Sequence, residues 1–177
     1  MSSHDLTGLL AARIRDVPDF PKPGVMFKDI TPLLDDHVAF AGLVDAVVNH
    51  YGRGEIDKVV GIEARGFILA APIAYHAGAG IVPVRKQGKL PRATLTSTYA
   101  LEYGTAAVEV HTDAFMPGDR VLIVDDVLAT GGTIEATIDL VERAGAVVAG
   151  IAVLMELEFL GGRKRLDGRE IFALLSQ

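Results

Sequence analysis

The stretch VLIVDDVLATGG (Val121–Gly132) opens on four apolar residues, passes through two aspartates and closes on a glycine pair. An unbroken run of Val, Leu and Ile is the pattern of a strand buried on both faces, as in the middle of a parallel sheet. The glycines release the chain into GTIEATIDLVERAG (Gly132–Gly145), whose apolar residues recur at helical spacing. A strand that turns through glycine into a helix is half of a βαβ unit, and the rest of the chain repeats the alternation.

Working outward, KVVGI (Lys58–Ile62), GIVPVRK (Gly80–Lys86), AAVEVH (Ala106–His111), AVVAGIAVLME (Ala146–Glu156) and IFALLS (Ile171–Ser176) read as further strands. GFILAAPIAYHAG (Gly66–Gly78) reads as a helix between two of them, and HVAFAGLVDAVVNHY (His37–Tyr51) as a helix before the first. LLAARIRDV (Leu9–Val17) has apolar residues at helical spacing and predicts another helix. PDFPKPG (Pro18–Gly24) must then be loop, because three prolines fix φ and remove donors. The expected architecture is α/β, a parallel sheet with helices on both faces and with ligands beyond the carboxyl ends of its strands. QGKLPRATLTSTYALEYG (Gln87–Gly104) has little apolar periodicity. So long a connection is usually functional, and residues 91–110 are expected to form a flexible lid loop.

Composition narrows the function. With 177 residues, half of them hydrophobic and 23% charged, the chain is expected to form one globular domain over 1–177. It has no cysteine, so disulfides and thiolate metal sites are excluded. No secretion signal is evident, and AGAVVAGIAVLME (Ala144–Glu156) is too short to span a bilayer, so a cytoplasmic protein without membrane association is expected. The net charge of −6 disfavours nucleic acid as a partner. Yet Ala64–Leu101 contains no acid and carries Arg65, Arg85, Lys86, Lys89 and Arg92. A cationic segment on an acidic protein suits a small polyanion, which local potential steers while the net charge repels nucleic acid.

The turn after Asp126 is an anion site by geometry. Ala129, Thr130, Gly131, Gly132 and Thr133 stand between strand and helix, where backbone amides point outward and threonine hydroxyls add donors. It lacks the GK[ST] of a P-loop and the GxGxxG of a dinucleotide fingerprint. Two carboxylates beside a phosphate make sense if the ligand also carries vicinal hydroxyls, since an ionised carboxylate only accepts and a ribose diol donates. A ribose 5-phosphate meets both demands. Helix capping by Asp125 and Asp126, or a hydrated cation on them, are alternatives that spacing alone leaves open.

VLIVDDVLATGGT closely resembles the phosphoribosylpyrophosphate (PRPP) motif of the type I phosphoribosyltransferases. PDFPKPGVMFKDITPLL, GIEARGF, RKQGKLP and LEYG, in that order, resemble the adenine-specific branch of that family from near the N-terminus to about Glu156. The resemblance implies the type I phosphoribosyltransferase fold, a twisted, mostly parallel sheet flanked by helices with a small N-terminal hood over about 1–35, and transfer of the phosphoribosyl group from PRPP to N9 of adenine. It assigns the 5-phosphate to Ala129–Thr133 and the ribose hydroxyls to Asp125 and Asp126. Pyrophosphate falls to Ala64, Arg65, Arg85, Lys86 and Lys89. Arg65 is expected to act in catalysis with Glu102, which handles the purine proton, and Tyr103, which closes the lid. Val25, Met26, Phe27 and Lys28 are expected at the adenine, Phe27 by stacking and Met26 and Lys28 through main-chain groups, with Leu128 on the other side. The family often has arginine where Lys28 stands. Mg²⁺ is the expected cofactor, carried in by PRPP and reached from Asp125 or Asp126 through water, because the five histidines are scattered. A homodimer is the family precedent. A 6-oxopurine enzyme and a PRPP-binding regulator are the rival readings.

Overall fold

The structure is a computed structural model that describes residues 3–101 and 104–177. The chain divides into two compact units, Met1–Ala46 and Val47–Gln177.

The first unit begins with helix α1 (Ser3–Ala12), followed by an antiparallel ribbon of β1 (Arg15–Pro18) and β2 (Met26–Asp29), a short α2 (Thr31–Asp35) and the start of α3 (His37–Tyr51). The helix expected over Leu9–Val17 is therefore corrected: it starts earlier and stops at Ala12, and Arg15–Pro18 pair with Met26–Asp29 instead. Four residues ending in proline satisfy either period, and ladder partners supplied by β2 decide for the strand. Leu10, Ile30, Leu33 and Leu43 are fully buried.

In the second unit β3 (Lys58–Ile62), α4 (Arg65–Ala77), β4 (Gly80–Lys86), β5 (Thr94–Ala100), β6 (Thr105–His111), β7 (Arg120–Leu128), α5 (Gly132–Arg143), β8 (Val147–Glu156), α6 (Gly162–Arg165) and β9 (Ile171–Ser176) follow in order. Their seven-stranded sheet runs β5-β6-β4-β3-β7-β8-β9. β4, β3, β7, β8 and β9 are mutually parallel, and the sheet is extended at one edge by β6, antiparallel to β4, and by β5, antiparallel to β6. Val121–Val124 of β7 have essentially no exposed surface, as their unbroken apolar run predicts for a central strand covered on both faces.

Residue parity assigns the faces. Val60 and Ile62 share a core with Ile123, Ile151 and Val153 and with Ile134, Ile138 and Val141 of α5. Gly61 points the other way, toward α4, so closely that a Cβ there would lie 2.9 Å from Cβ of Ala70. The two helices thus cover opposite faces, and both begin at the carboxyl edge of the sheet.

Part of the expected lid is a regular hairpin. Thr94–Ala100 pair residue by residue with Thr105–His111, and Leu101 N donates to Gly104 O at 3.0 Å. Thr-rich TLTSTYA lacks an apolar stripe because β5 is an edge strand, but its β-branched residues suit the ladder that β6 offers. Among the described residues no helix is long and apolar enough to cross a membrane.

Candidate active site

The anion loop forms where β7 meets α5. Gly131 holds φ +82°, a conformation that costs glycine little, and a Cβ on it would come within 3.0 Å of Gly162 O. Glu135 N donates to Gly131 O at 2.9 Å, and no side chain caps the helix. The first-turn amides therefore have no intrahelical acceptor and face a cavity of about 70 Å³ lined by Asp125 and Ala129–Ile134.

Beside it opens a larger pocket of about 370 Å³ that shares Asp125 and Thr133 with the first and adds Glu63, Ala64, Arg65, Lys86, Tyr99 and Asp126. Close packing sets its floor. A Cβ on Gly66 would lie 2.9 Å from Val124 O and 3.0 Å from Asp125 Oδ1, so only glycine lets the start of α4 rest on the end of β7. That approach puts Arg65 Nη2 2.7 Å from Asp126 Oδ2. The contact is an ion pair rather than an aligned hydrogen bond, and Oδ2 is buried without a hydrogen-bond partner among the described residues.

Asp125 Oδ1 accepts the Asp126 N–H at 2.9 Å. Burial, reinforced by the neighbouring Asp126 carboxylate, pushes the Asp125 carboxyl well above the usual carboxylate range. Among the described residues no three His, Asp or Glu side chains gather to hold a metal.

The cations behave differently from one another. Arg85 Nε lies 3.3 Å from Glu63 Oε2, Lys89 Nζ is hydrogen-bonded to Glu63 Oε1, and Lys86 N donates to Glu63 Oε2 at 3.0 Å. Burial alone would raise the Glu63 carboxyl, but the Lys89 ammonium and the Lys86 amide hold it below its ordinary value. Arg92 pairs instead with Asp113 at 2.7 Å. Among the described residues no carboxylate pairs with Lys86, whose side chain lines the larger pocket.

The structure thus gathers Ala64, Arg65, Lys86, Asp125, Asp126 and Thr133 around one pocket and Ala129–Gly132 around its neighbour. Arg85 and Lys89 are tied to the pocket's Glu63. Leu128 is fully buried in the core and also lines the smaller cavity. Glu102 and Tyr103 lie outside the described residues.

Sequence reasoning missed Glu63, Gly66, Tyr99 and Gly162. Glu63 opens EARG (Glu63–Gly66) and is legible as a counter-ion only through its partners. Gly162 was invisible locally: a Cβ on it would lie 2.3 Å from Ala129 O. Tyr99 has its ring beside Gly132, 3.1 Å from where a Cβ would be.

In the first unit, Val25–Lys28 run into β2. Val25 O accepts from Phe20 N at 3.2 Å, while Pro18, opposite Met26, has no N–H to give. By the alternation of an antiparallel ladder, Phe27 turns its main-chain groups toward β1, and Met26 and Lys28 turn theirs outward. The Phe27 ring meets Phe20 edge-on at 5.0 Å, and Lys28 Nζ lies 2.7 Å from Asp16 Oδ1.

Comparison with known proteins identifies the family. The Phosphoribosyl transferase domain family matches residues 33–170. The adenine phosphoribosyltransferase of Salinispora tropica is 63% identical over 175 residues, covering 99% of this chain and 93% of that protein. The crystal structure of adenine phosphoribosyltransferase from Rhodothermus marinus superposes with a TM-score of 0.95 at 54% identity, covering 98% of this chain and 99% of that one. The Saccharomyces cerevisiae enzyme, complexed with adenine and an imino-altritol bisphosphate, gives 0.91 at 37% identity, covering 97% and 99%. The chain belongs to the adenine phosphoribosyltransferases, within the phosphoribosyl transferase domain family.

Proposed function

We propose that this chain transfers the 5-phosphoribosyl group of PRPP to N9 of adenine, giving AMP and pyrophosphate in purine salvage. One observation carries the reading of the site: Asp125 is shared between the anion loop and the cationic pocket. PRPP has that layout, a ribose with a phosphate at one end and a pyrophosphate at the other.

In this reading the amides of Ala129–Thr133 hold the 5-phosphate, and Asp125 and Asp126 accept from the ribose 2′- and 3′-hydroxyls. Departure of pyrophosphate builds charge that Arg65, Lys86 and the Ala64–Arg65 backbone stabilise, with Arg85 and Lys89 behind them. Mg²⁺ bound with PRPP supplies further neutralisation of that charge. The two carboxylates beside the pocket, one with a buried oxygen that pairs with Arg65 but has no hydrogen bond among the described residues, suit a cation that arrives hydrated with its ligand. Family resemblance assigns the 6-aminopurine to Val25–Lys28, with main-chain recognition by Met26 and Lys28 and stacking by Phe27, and gives Leu128 a part in holding the base. Family resemblance gives Glu102 the purine proton and Tyr103 the closure of the hairpin, which excludes water from an oxocarbenium-like centre.

We assign the enzyme to the cytoplasm and to a homodimer. The exposed apolar side chains Ile68, Tyr75 and Ile81, the first two one heptad apart on α4, support a self-association face. The test of the activity is to supply Mg²⁺, PRPP and, separately, adenine, hypoxanthine, guanine or xanthine, and to measure nucleotide and pyrophosphate. AMP from adenine alone is expected. Turnover only with a 6-oxopurine would overturn the base assignment, and PRPP binding without turnover would make the protein a regulator.

A further inference from the structure

Glu109 is only 4% exposed, yet it is a carboxylate in the middle of a strand. On β6 it stands opposite Arg85 of β4 and Thr96 of β5. Its neighbour Val108 lines the cationic pocket, so by strand parity Glu109 points to the other face and does not reach the ligand space itself. Its Oε1 instead accepts the backbone N–H groups of Lys89 at 3.0 Å and Leu90 at 2.9 Å. An ionised group buried to this degree persists only when several donors compensate it, and here the donors all come from one loop and the start of β5.

Lys89 is consequently fixed at three points. Its N–H is held by Glu109, its carbonyl by Arg85 Nη1 at 3.1 Å, and its ammonium by Glu63. Lys86, three residues earlier, leaves β4 at the same place. The loop is therefore secured from behind by the strand that also forms one arm of the lid hairpin.

We infer that Glu109 is a positioning residue for the pyrophosphate end of the site: it clamps the Lys89–Leu90 backbone to β6 and so sets where the loop presents Lys86 and Lys89. The inference rests on the reading of Lys86 as a pyrophosphate ligand with Lys89 behind it. Because the clamp lies on a lid strand, it also joins the hairpin to the cationic loop.

The test compares wild type, Glu109→Gln and Glu109→Ala. Each is measured for the Kd of magnesium pyrophosphate, for KM of PRPP and of adenine, and for hydrogen exchange at the Lys89 and Leu90 amides. Glu109→Ala is expected to weaken pyrophosphate and raise KM for PRPP by about tenfold while leaving KM for adenine within about twofold, with faster exchange at both amides. Glu109→Gln keeps an acceptor oxygen and is expected to recover most of the loss. Unchanged pyrophosphate binding in a folded Glu109→Ala protein, or a Gln variant no better than Ala, would overturn the inference. Should the Ala variant not fold, wild-type exchange decides: slow Lys89 and Leu90 amides are required, and fast ones refute the clamp. Failure of wild type to bind pyrophosphate or turn over PRPP would instead refute the functional reading and leave the exchange result standing.

Discussion

Arg65 Nη2 sits 2.7 Å from Asp126 Oδ2, joining the first residue of α4 to the end of β7. The pair anchors Asp126, but it leaves Asp125 beside a carboxylate and in a partly buried position, where its own ionised form is disfavoured. Two adjacent carboxylates are closer together here than stability alone would choose.

Asp125 carries that conflict into its titration. The folded-state pKa of Asp125 is raised above the unfolded 3.8, so the folded protein binds the proton more tightly than the unfolded chain. Stability associated with the group is full below 3.8 and is lost as pH rises through the folded value. Asp125→Asn should therefore melt higher than wild type without ligand, by a margin that opens as pH rises from 4 to 8. Its oxygen still accepts the Asp126 amide, yet PRPP turnover should fall at least about tenfold, because an amide presents a donor to a hydroxyl. Melting curves across pH and steady-state kinetics check both halves, and a margin that narrows with pH would contradict the assignment.

Gly162→Ala tests the packing behind the anion loop. The new Cβ would meet Ala129 O at 2.3 Å and Leu128 Cδ1 at 2.8 Å, backbone and fully buried side chain, neither of which yields easily. We expect about 1–3 kcal/mol of destabilisation in denaturant titrations and a raised KM for PRPP. Gly8→Ala, in α1 with nothing within 4 Å of the new methyl, should instead stabilise by about 0.5–1 kcal/mol.

Asp57 lies at the opposite edge of the sheet, where Arg120 donates to it from its backbone N at 2.8 Å, from Nε at 3.0 Å and from Nη2 at 3.2 Å. The Arg120 guanidinium leads the groups that hold the Asp57 carboxyl down, to about 2. Stability from this fork is complete above the unfolded 3.8 and is lost as pH falls toward about 2. Asp57→Asn should lower Tm at pH 7, by less at pH 3, without altering kcat, since the site is at the other ends of the strands. A kcat loss with unchanged Tm would be the wrong outcome.

Lys86 and Arg92 belong to the same acid-free stretch but make opposite predictions. Lys86→Met removes the cation that lines the pocket and pairs with no carboxylate among the described residues. KM for PRPP should rise about tenfold, more steeply at low ionic strength. Arg92→Met breaks only an exposed pair with Asp113 and should change KM by less than twofold.

Much of this was readable from local signals. β3, β4 and β9 begin and end where the apolar runs KVVGI, GIVPVRK and IFALLS do, and α3 spans the expected His37–Tyr51. Hydrophobic period and glycine placement are properties of a few neighbouring residues, so such elements declare themselves. Arg15–Pro18 and Thr94–Ala100 did not, because each is a short or edge strand whose identity depends on the partner it finds, Met26–Asp29 in one case and Thr105–His111 in the other.

The same division runs through the site. Asp125–Thr133 are consecutive, so two aspartates at the end of a central strand and the glycine turn into the next helix are legible from the chain alone. Which charges are paired is a property of the fold. Glu63 meets Arg85 and Lys89, Glu109 meets the Lys89–Leu90 backbone, and Gly162 meets Ala129, contacts made across intervening strands and helices. Charge lists name the candidates, but only distance through the folded chain determines whether a cation is paired, buried or turned toward a ligand.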